Sequence, residues 1–170
     1  MTRPTNVHRI NRGDIRYPSR VASFLGDDAP NVLGLLGDPR ILQHVQLALI
    51  CSVSCPGSVV IKTYDAIRDL RDAGIVVAGG FHSPMERECL DFLLRGAQPV
   101  VLCPACATEG LSLDPQQQEA VDSGRLLVLS IFGSEATMAT RDFAVRRNEL
   151  VAALADAVFV PHVVPEVSNR

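Results

Sequence analysis

No stretch of this chain is apolar for anything near the roughly 20 residues that a bilayer-spanning helix needs, so no membrane partner is expected. The first twenty residues are polar and arginine-rich and contain no apolar core, which excludes a secretory signal and leaves a cytoplasmic location as the expectation. Excess positive charge is also lacking. Against 16 Lys and Arg stand 19 Asp and Glu, a net charge of −3, which argues against a generally basic surface that coats nucleic acid. The sequence holds no G-x-G-x-x-G and no Walker A loop, so ordinary dinucleotide and P-loop chemistry are not expected. Without a nucleophile elbow, a Ser-His-Asp order or a paired acidic motif, no catalytic residue is assigned. Internal repeats and heptads are missing too.

What is present is a chain of 170 residues, 47% of them hydrophobic, enough for one domain with its own core. Residues 1–45 are rich in Pro, Gly and Asp and read as an N-terminal arm with short helical pieces, one of them over 17–25. Residues 31–36 read as a short apolar packing segment within that arm. From 46 to 170 the pattern alternates strand and helix. Apolar runs at 46–53, 75–78, 99–103, 126–129 and 158–160 suit strands buried on both faces. Between them, Val60, Tyr64, Ile67 and Leu70 recur at helical spacing. Ser83-Pro84 has the form of a helix cap followed by proline at the first helical position. A polar helix is expected over 114–122. The fold class that follows is α/β: a three-layer α/β/α Rossmann-like domain with a mainly parallel sheet of about five strands.

The helix before the last strand carries two arginines. Arg147 lies on the same helical stripe as Phe143, Leu150, Val151 and Leu154. A guanidinium keeps its charge, so on an inward face it needs an anionic partner. Two readings stay open: an internal ion pair, or an arginine lining an anion-binding crevice. If the helix begins close to Arg146, two cations oppose its dipole and a bound anion would favour them. If it begins at Thr137 or Thr140, both lie mid-helix. In a parallel sheet ligands bind where the strands end. The candidate ligand- or phosphate-binding residues there are Ser52, Ser54, Gly79, Gly80, His82, Ser83, Arg146, Arg147 and Asn148. The Gly79-Gly80 pair offers the closest backbone approach.

Five cysteines in a chain of cytoplasmic character are expected to be reduced thiols without metal. An alternative is a metal or redox site built on Cys51, Cys55, Cys103 and Cys106, with His82 nearby. Cys51 and Cys103 also end apolar strands, where cysteine serves as a small hydrophobe. No cofactor is expected.

Over residues 120–160 the chain resembles the Rossmann-like domain of the DNA-processing protein A (DprA/Smf) family. The residues that carry the resemblance are the strand Gly124-Arg125-Leu126-Leu127-Val128-Leu129-Ser130, then Phe143, Arg146-Arg147-Asn148, and Leu150-Val151-Ala152-Ala153-Leu154-Ala155-Asp156. Weaker similarity extends upstream through Tyr17-Pro18, 47–52, Ala78-Gly79 and 100–102. The resemblance implies a Rossmann-like fold that binds single-stranded DNA, dimerises and hands DNA to a recombinase. The chain differs from the family pattern at several points. Ile50-Cys51-Ser52-Val53 stands where the family's first strand ends in Val-Gly-Ser/Thr-Arg, which removes a DNA-contacting arginine. The family's Ser-Gly-x-Ala-x-Gly-Ile-Asp loop is replaced by Ala78-Gly79-Gly80-Phe81-His82-Ser83-Pro84-Met85, and Glu149 replaces the second arginine of Arg-Asn-Arg. The phosphoribohydrolases of the same superfamily carry Pro-Gly-Gly-x-Gly-Thr-x-x-Glu, which this chain lacks.

The expected function is binding of single-stranded nucleic acid or a nucleotide at the strand C-terminal edge. A nucleotide-processing enzyme of the same superfamily is the alternative. Val158-Phe159-Val160 reads as a last strand with little chain left to cover it, so a homo-oligomer is expected. The other solution is a fold-back of Leu33, Leu35, Leu36, Ile41 and Leu42 over that edge.

Overall fold

The computed structural model describes residues 7–164; Arg3 of the N-terminal arginine group and the tail 165–170 lie outside the described residues. The five apolar runs form β3 (Gln46–Leu49), β4 (Val76–Gly79), β5 (Val100–Leu102), β6 (Leu126–Ser130) and β7 (Ala157–Phe159), all parallel. Two further strands, β1 (His8–Asn11) and β2 (Val32–Leu36), join antiparallel beside β6. The sheet therefore has seven strands in the order β1-β2-β6-β5-β4-β3-β7. The N-terminal segment does contain short helical pieces, but it also builds two strands of the main sheet. Residues 31–36, read as a packing segment, are strand because Leu33, Leu35 and Leu36 all find buried positions there.

Five helices accompany the sheet: α1 (Ser19–Leu25), α2 (Gly57–Asp72), α3 (Pro84–Leu94), α4 (Pro115–Asp122) and α5 (Arg141–Leu154). Helices α3 and α4 start as their sequences predict. Each has proline at the first helical position and a full capping box, Ser83 with Glu86 and Asp114 with Gln117.

Side-chain alternation along the strands divides the core in two. Ala48, Val76, Ala78, Val101, Cys103, Leu127 and Leu129 face the side covered by α1 and α5. Leu49, Val77, Val100, Leu102, Leu126 and Val128 face the side covered by α2, α3 and α4. On the first side, Ala48 pairs in register with Ala78. These two small residues leave room for α5, which packs on β3 and β4 through Leu150, Val151, Ala153 and Leu154. That seat brings the preceding turn of α5, with Arg147, over the end of β4.

Leu33, Leu35 and Leu36 lie on β2, beside β6 and away from β7, whereas Leu42 sits near the start of β3, its carbonyl accepting from Gln46 Nε2. The described contact of that segment with the start of β7 is Arg20, which pairs with Asp156 and donates to the Ala155 carbonyl. Strand β7 bonds to β3 on one side and forms the sheet edge on the other, with Val158 48% and Val160 44% exposed.

The central packing gives a direct test. Leu127→Ala, at a fully buried position of β6, is expected to lower stability by about 3 kcal/mol in urea unfolding. Ile61→Ala, at an exposed position of α2, is expected to stay within about 0.5 kcal/mol of the parent.

Candidate functional site

Helix α5 begins at Arg141, where the Thr140 hydroxyl accepts the Phe143 N–H. Arg146 and Arg147 therefore sit in its second turn, beyond the end where its dipole acts. Arg146 is exposed, with its guanidinium 5.7 Å from the Phe132 ring centroid. Arg147 is the buried one, only 6% exposed. Its Nε donates to Asn148 Oδ1 at 2.8 Å and its Nη1 to the Cys103 carbonyl at 3.4 Å. Among the described residues no carboxylate reaches salt-bridge distance of it. The close ion pair that the sequence left open is thus not formed.

The guanidinium lies flat against the end of β4. A Cβ on Gly80 would run into the Arg147 guanidinium, with Nε at 2.7 Å, so any other residue there has to push the end of that side chain aside. Next to it Phe81 holds a left-handed φ of 46° and tucks its ring over Gly79, where an added Cβ would meet that ring at 3.1 Å. The Gly79-Gly80 pair thus serves close packing on both sides, with Phe81 over the first and Arg147 over the second.

Glu86 is the second charged group of the site, with a role that no local sequence pattern reveals. It is buried, and its carboxylate accepts from three backbone amides: Cys51 at 3.3 Å, His82 at 3.2 Å and Ser83 at 3.0 Å. The chain's own carboxylate thereby takes the amides of His82 and Ser83 that were expected to approach a phosphate. The same contacts tie the loop after β3 to the loop after β4. Burial pushes the Arg147 guanidinium below its ordinary value, and the negative charge of Glu86 opposes that shift.

A cavity of about 460 Å³ opens at this edge between the loops after β4 and β5. Of the nine candidate residues it gathers Gly80, His82 and Arg147. The others lie elsewhere. The Ser52 hydroxyl accepts the Val164 N–H at 2.9 Å, Ser54 is exposed ahead of α2, Gly79 is buried, and Ser83 caps α3. Asn148 stands behind Arg147 and orients it. The cavity also takes in Arg87, Asp91 and Asp114, three residues that are charged and unremarkable in sequence; only the fold brings them together.

Comparison with known proteins follows the same lines. The family model described as DNA recombination-mediator protein A matches residues 8–164. The chain belongs to this family. It is similar to the X-ray structure of DNA processing protein A (DprA) from Streptococcus pneumoniae, with a TM-score of 0.74 and 18% identity over 93% of this chain. It spans 55% of the length of that protein. It is also similar to DNA processing protein A from Helicobacter pylori, whose structure is described for its single-stranded DNA binding mode. There the TM-score is 0.68, with 18% identity, 94% of this chain and 71% of that one. No curated protein matches the chain. Where the resemblance places an arginine in the first-strand loop, this family member has Val53, 69% exposed.

The thiols are not gathered into one coordination set. Cys103 lies in the core under α5, whereas Cys51 and Cys55 pack against the opposite core. Among the described residues no three His, Cys, Asp or Glu side chains converge as a metal would require. That is a correction to the four-cysteine alternative, because alternation along the strands sends Cys51 and Cys103 to different faces. Burial raises Cys103 and Cys89 to about 12, and burial with the neighbouring Cys55 raises Cys51 to about 11. All five cysteines are free thiols.

Two tests follow. Gly80→Ala puts a methyl where the guanidinium lies and is expected to push Arg147 aside at a cost of about 1 kcal/mol in thermal or urea unfolding. Gly57→Ala, with open space around its Cβ, is expected to leave stability unchanged or slightly raised. The raised thiols also set a pH dependence. Above pH 9 an unfolded chain loses thiol protons that the fold retains on Cys89 and Cys103, so the folded state holds more protons. Stability should therefore fall as pH rises from about 9 towards 11, and a Cys89→Ala variant should show a shallower decline.

Proposed function

We propose that this chain binds single-stranded nucleic acid at the strand C-terminal edge, one nucleotide entering the cavity with its phosphate against Arg147. The observation that carries this reading is a buried guanidinium with no carboxylate at salt-bridge distance, bordering an open cavity. An unpaired buried charge is costly, and an anionic ligand relieves that cost. Family membership and the single-stranded DNA binding described for the Helicobacter pylori protein support the same class of ligand. His82 lines the cavity and adds a solvent-exposed contact to the strand's backbone. The role is one of binding, and no residue is assigned a catalytic step. Five free thiols suit a reducing compartment, the cytoplasm.

Fluorescence anisotropy with a labelled single-stranded oligonucleotide across a salt series tests the reading. Arg147→Met keeps the bulk and removes the charge. It is expected to fold, as judged by circular dichroism, and to bind about tenfold more weakly or worse, with a salt slope smaller by about one. Unchanged affinity in a folded Arg147→Met protein overturns the reading.

The proposal includes self-association through the β7 edge, whose exposed valines, and whose outer side without a strand partner among the described residues, suit a second copy. Light scattering at micromolar concentration is expected to give a mass above that of the monomer. Val158→Lys is expected to return it to the monomer, and a monomeric parent protein contradicts the proposal.

A further inference from the structure

We propose that the cavity, if the nucleic-acid reading above holds, prefers a nucleotide whose base carries an exocyclic amino group, with Asp91 and Asp114 as the acceptors that read it. The charges lining the cavity fall into two groups. Arg147 and Arg87 bring positive charge to the cavity, and the Arg87 Nε donates to the His82 carbonyl at 3.0 Å. Asp91 lies one helical turn beyond Arg87 on α3, and Asp114 caps α4. Both carboxylates line the same cavity. Asp114 Oδ1 accepts the Gln117 N–H at 2.8 Å. Among the described residues neither carboxylate forms an ion pair. Leu90, Leu102 and Leu111 supply apolar surface to the same cavity.

Such an arrangement has a polarity. A phosphate is attracted to Arg147 and repelled by the two carboxylates, so the proposed pose puts the phosphate on the guanidinium and the base towards Asp91 and Asp114. The apolar surface suits the flat face of a base. An ionised carboxylate accepts hydrogen bonds and donates none. Facing the cytosine N4 amino group it gains a charge-assisted bond; facing the uracil O4 it meets another acceptor. Cytosine and uracil share ring size and stacking surface, so the comparison isolates this one group. The volume, about 460 Å³, falls in the range of small-ligand pockets and suits a single nucleotide.

The test is competition between oligo-dC and oligo-dU of about twelve nucleotides, measured by anisotropy at pH 8, where cytosine N3 is unprotonated. Oligo-dC is expected to bind about tenfold more tightly. In Asp91→Asn/Asp114→Asn the ratio is expected to fall towards one, because an amide donates to O4 as readily as it accepts from N4. Asparagine also caps a helix as well as aspartate does, so α4 keeps its start. Should the double variant not fold, Asp91→Asn alone, at an exposed helix position, is expected to lower the ratio. Equal binding of the two oligomers overturns the proposal and leaves the nucleic-acid reading standing, as does a preference that survives in the folded variant. Binding of neither oligomer overturns both.

Discussion

The contact between the Arg147 guanidinium and the bare backbone of Gly80 joins the two layers of helices across the end of the sheet. Arg147 belongs to α5, on one face, and reaches the cavity beside α3 and α4, on the other. It passes there over Gly80, just beyond the end of β4, and Ala48 and Ala78 let α5 lie close to the strands. A side chain at position 80 has to push the guanidinium aside. Larger residues at 48 or 78 lift the helix that supplies the arginine. Packing in the core thus sets where the single buried cation of the site stands.

Electrostatically the edge differs from a phosphate nest built of backbone amides. Glu86 already occupies the amides of Cys51, His82 and Ser83. On the proposed reading anion recognition falls to guanidinium groups, which offer planar, forked donors rather than a ring of N–H groups. Glu86 has a second consequence: its field helps a buried guanidinium remain charged without drawing it into a close pair that would block a ligand. The loops after β3 and β4 are held together by the same carboxylate, so the rim of the cavity is tied to the start of α3.

The sheet's parallel body was legible because strands buried on both faces leave continuous apolar runs, and the capped starts of α3 and α4 because Ser-Pro and Asp-Pro are local signals. Strands β1 and β2 were not. His8-Arg9-Ile10-Asn11 buries one residue of four, and Gly34 interrupts Val32–Leu36. Their strand character comes from pairing with β6, which no local pattern reports. The α5 stripe correctly placed Arg147 inside, whereas the position of the helix start depended on Thr140 and not on the arginines. Within the site, no local pattern marks Glu86 as a group that ties two loops together. Its bond to Cys51, 35 residues away, is a product of the fold, as is the meeting of Asp91 with Asp114.

The central claim is that a ligand's anionic group meets Arg147 itself. Nitrogen-15 NMR of the arginine Nε–H groups observes that guanidinium directly. On titration with a short single-stranded oligonucleotide, the Arg147 Nε–H resonance, assigned by comparison with Arg147→Lys, is predicted to shift and saturate along the binding isotherm. Shifts confined to the exposed arginines of the N-terminal segment, with Arg147 unmoved at saturation, contradict the account.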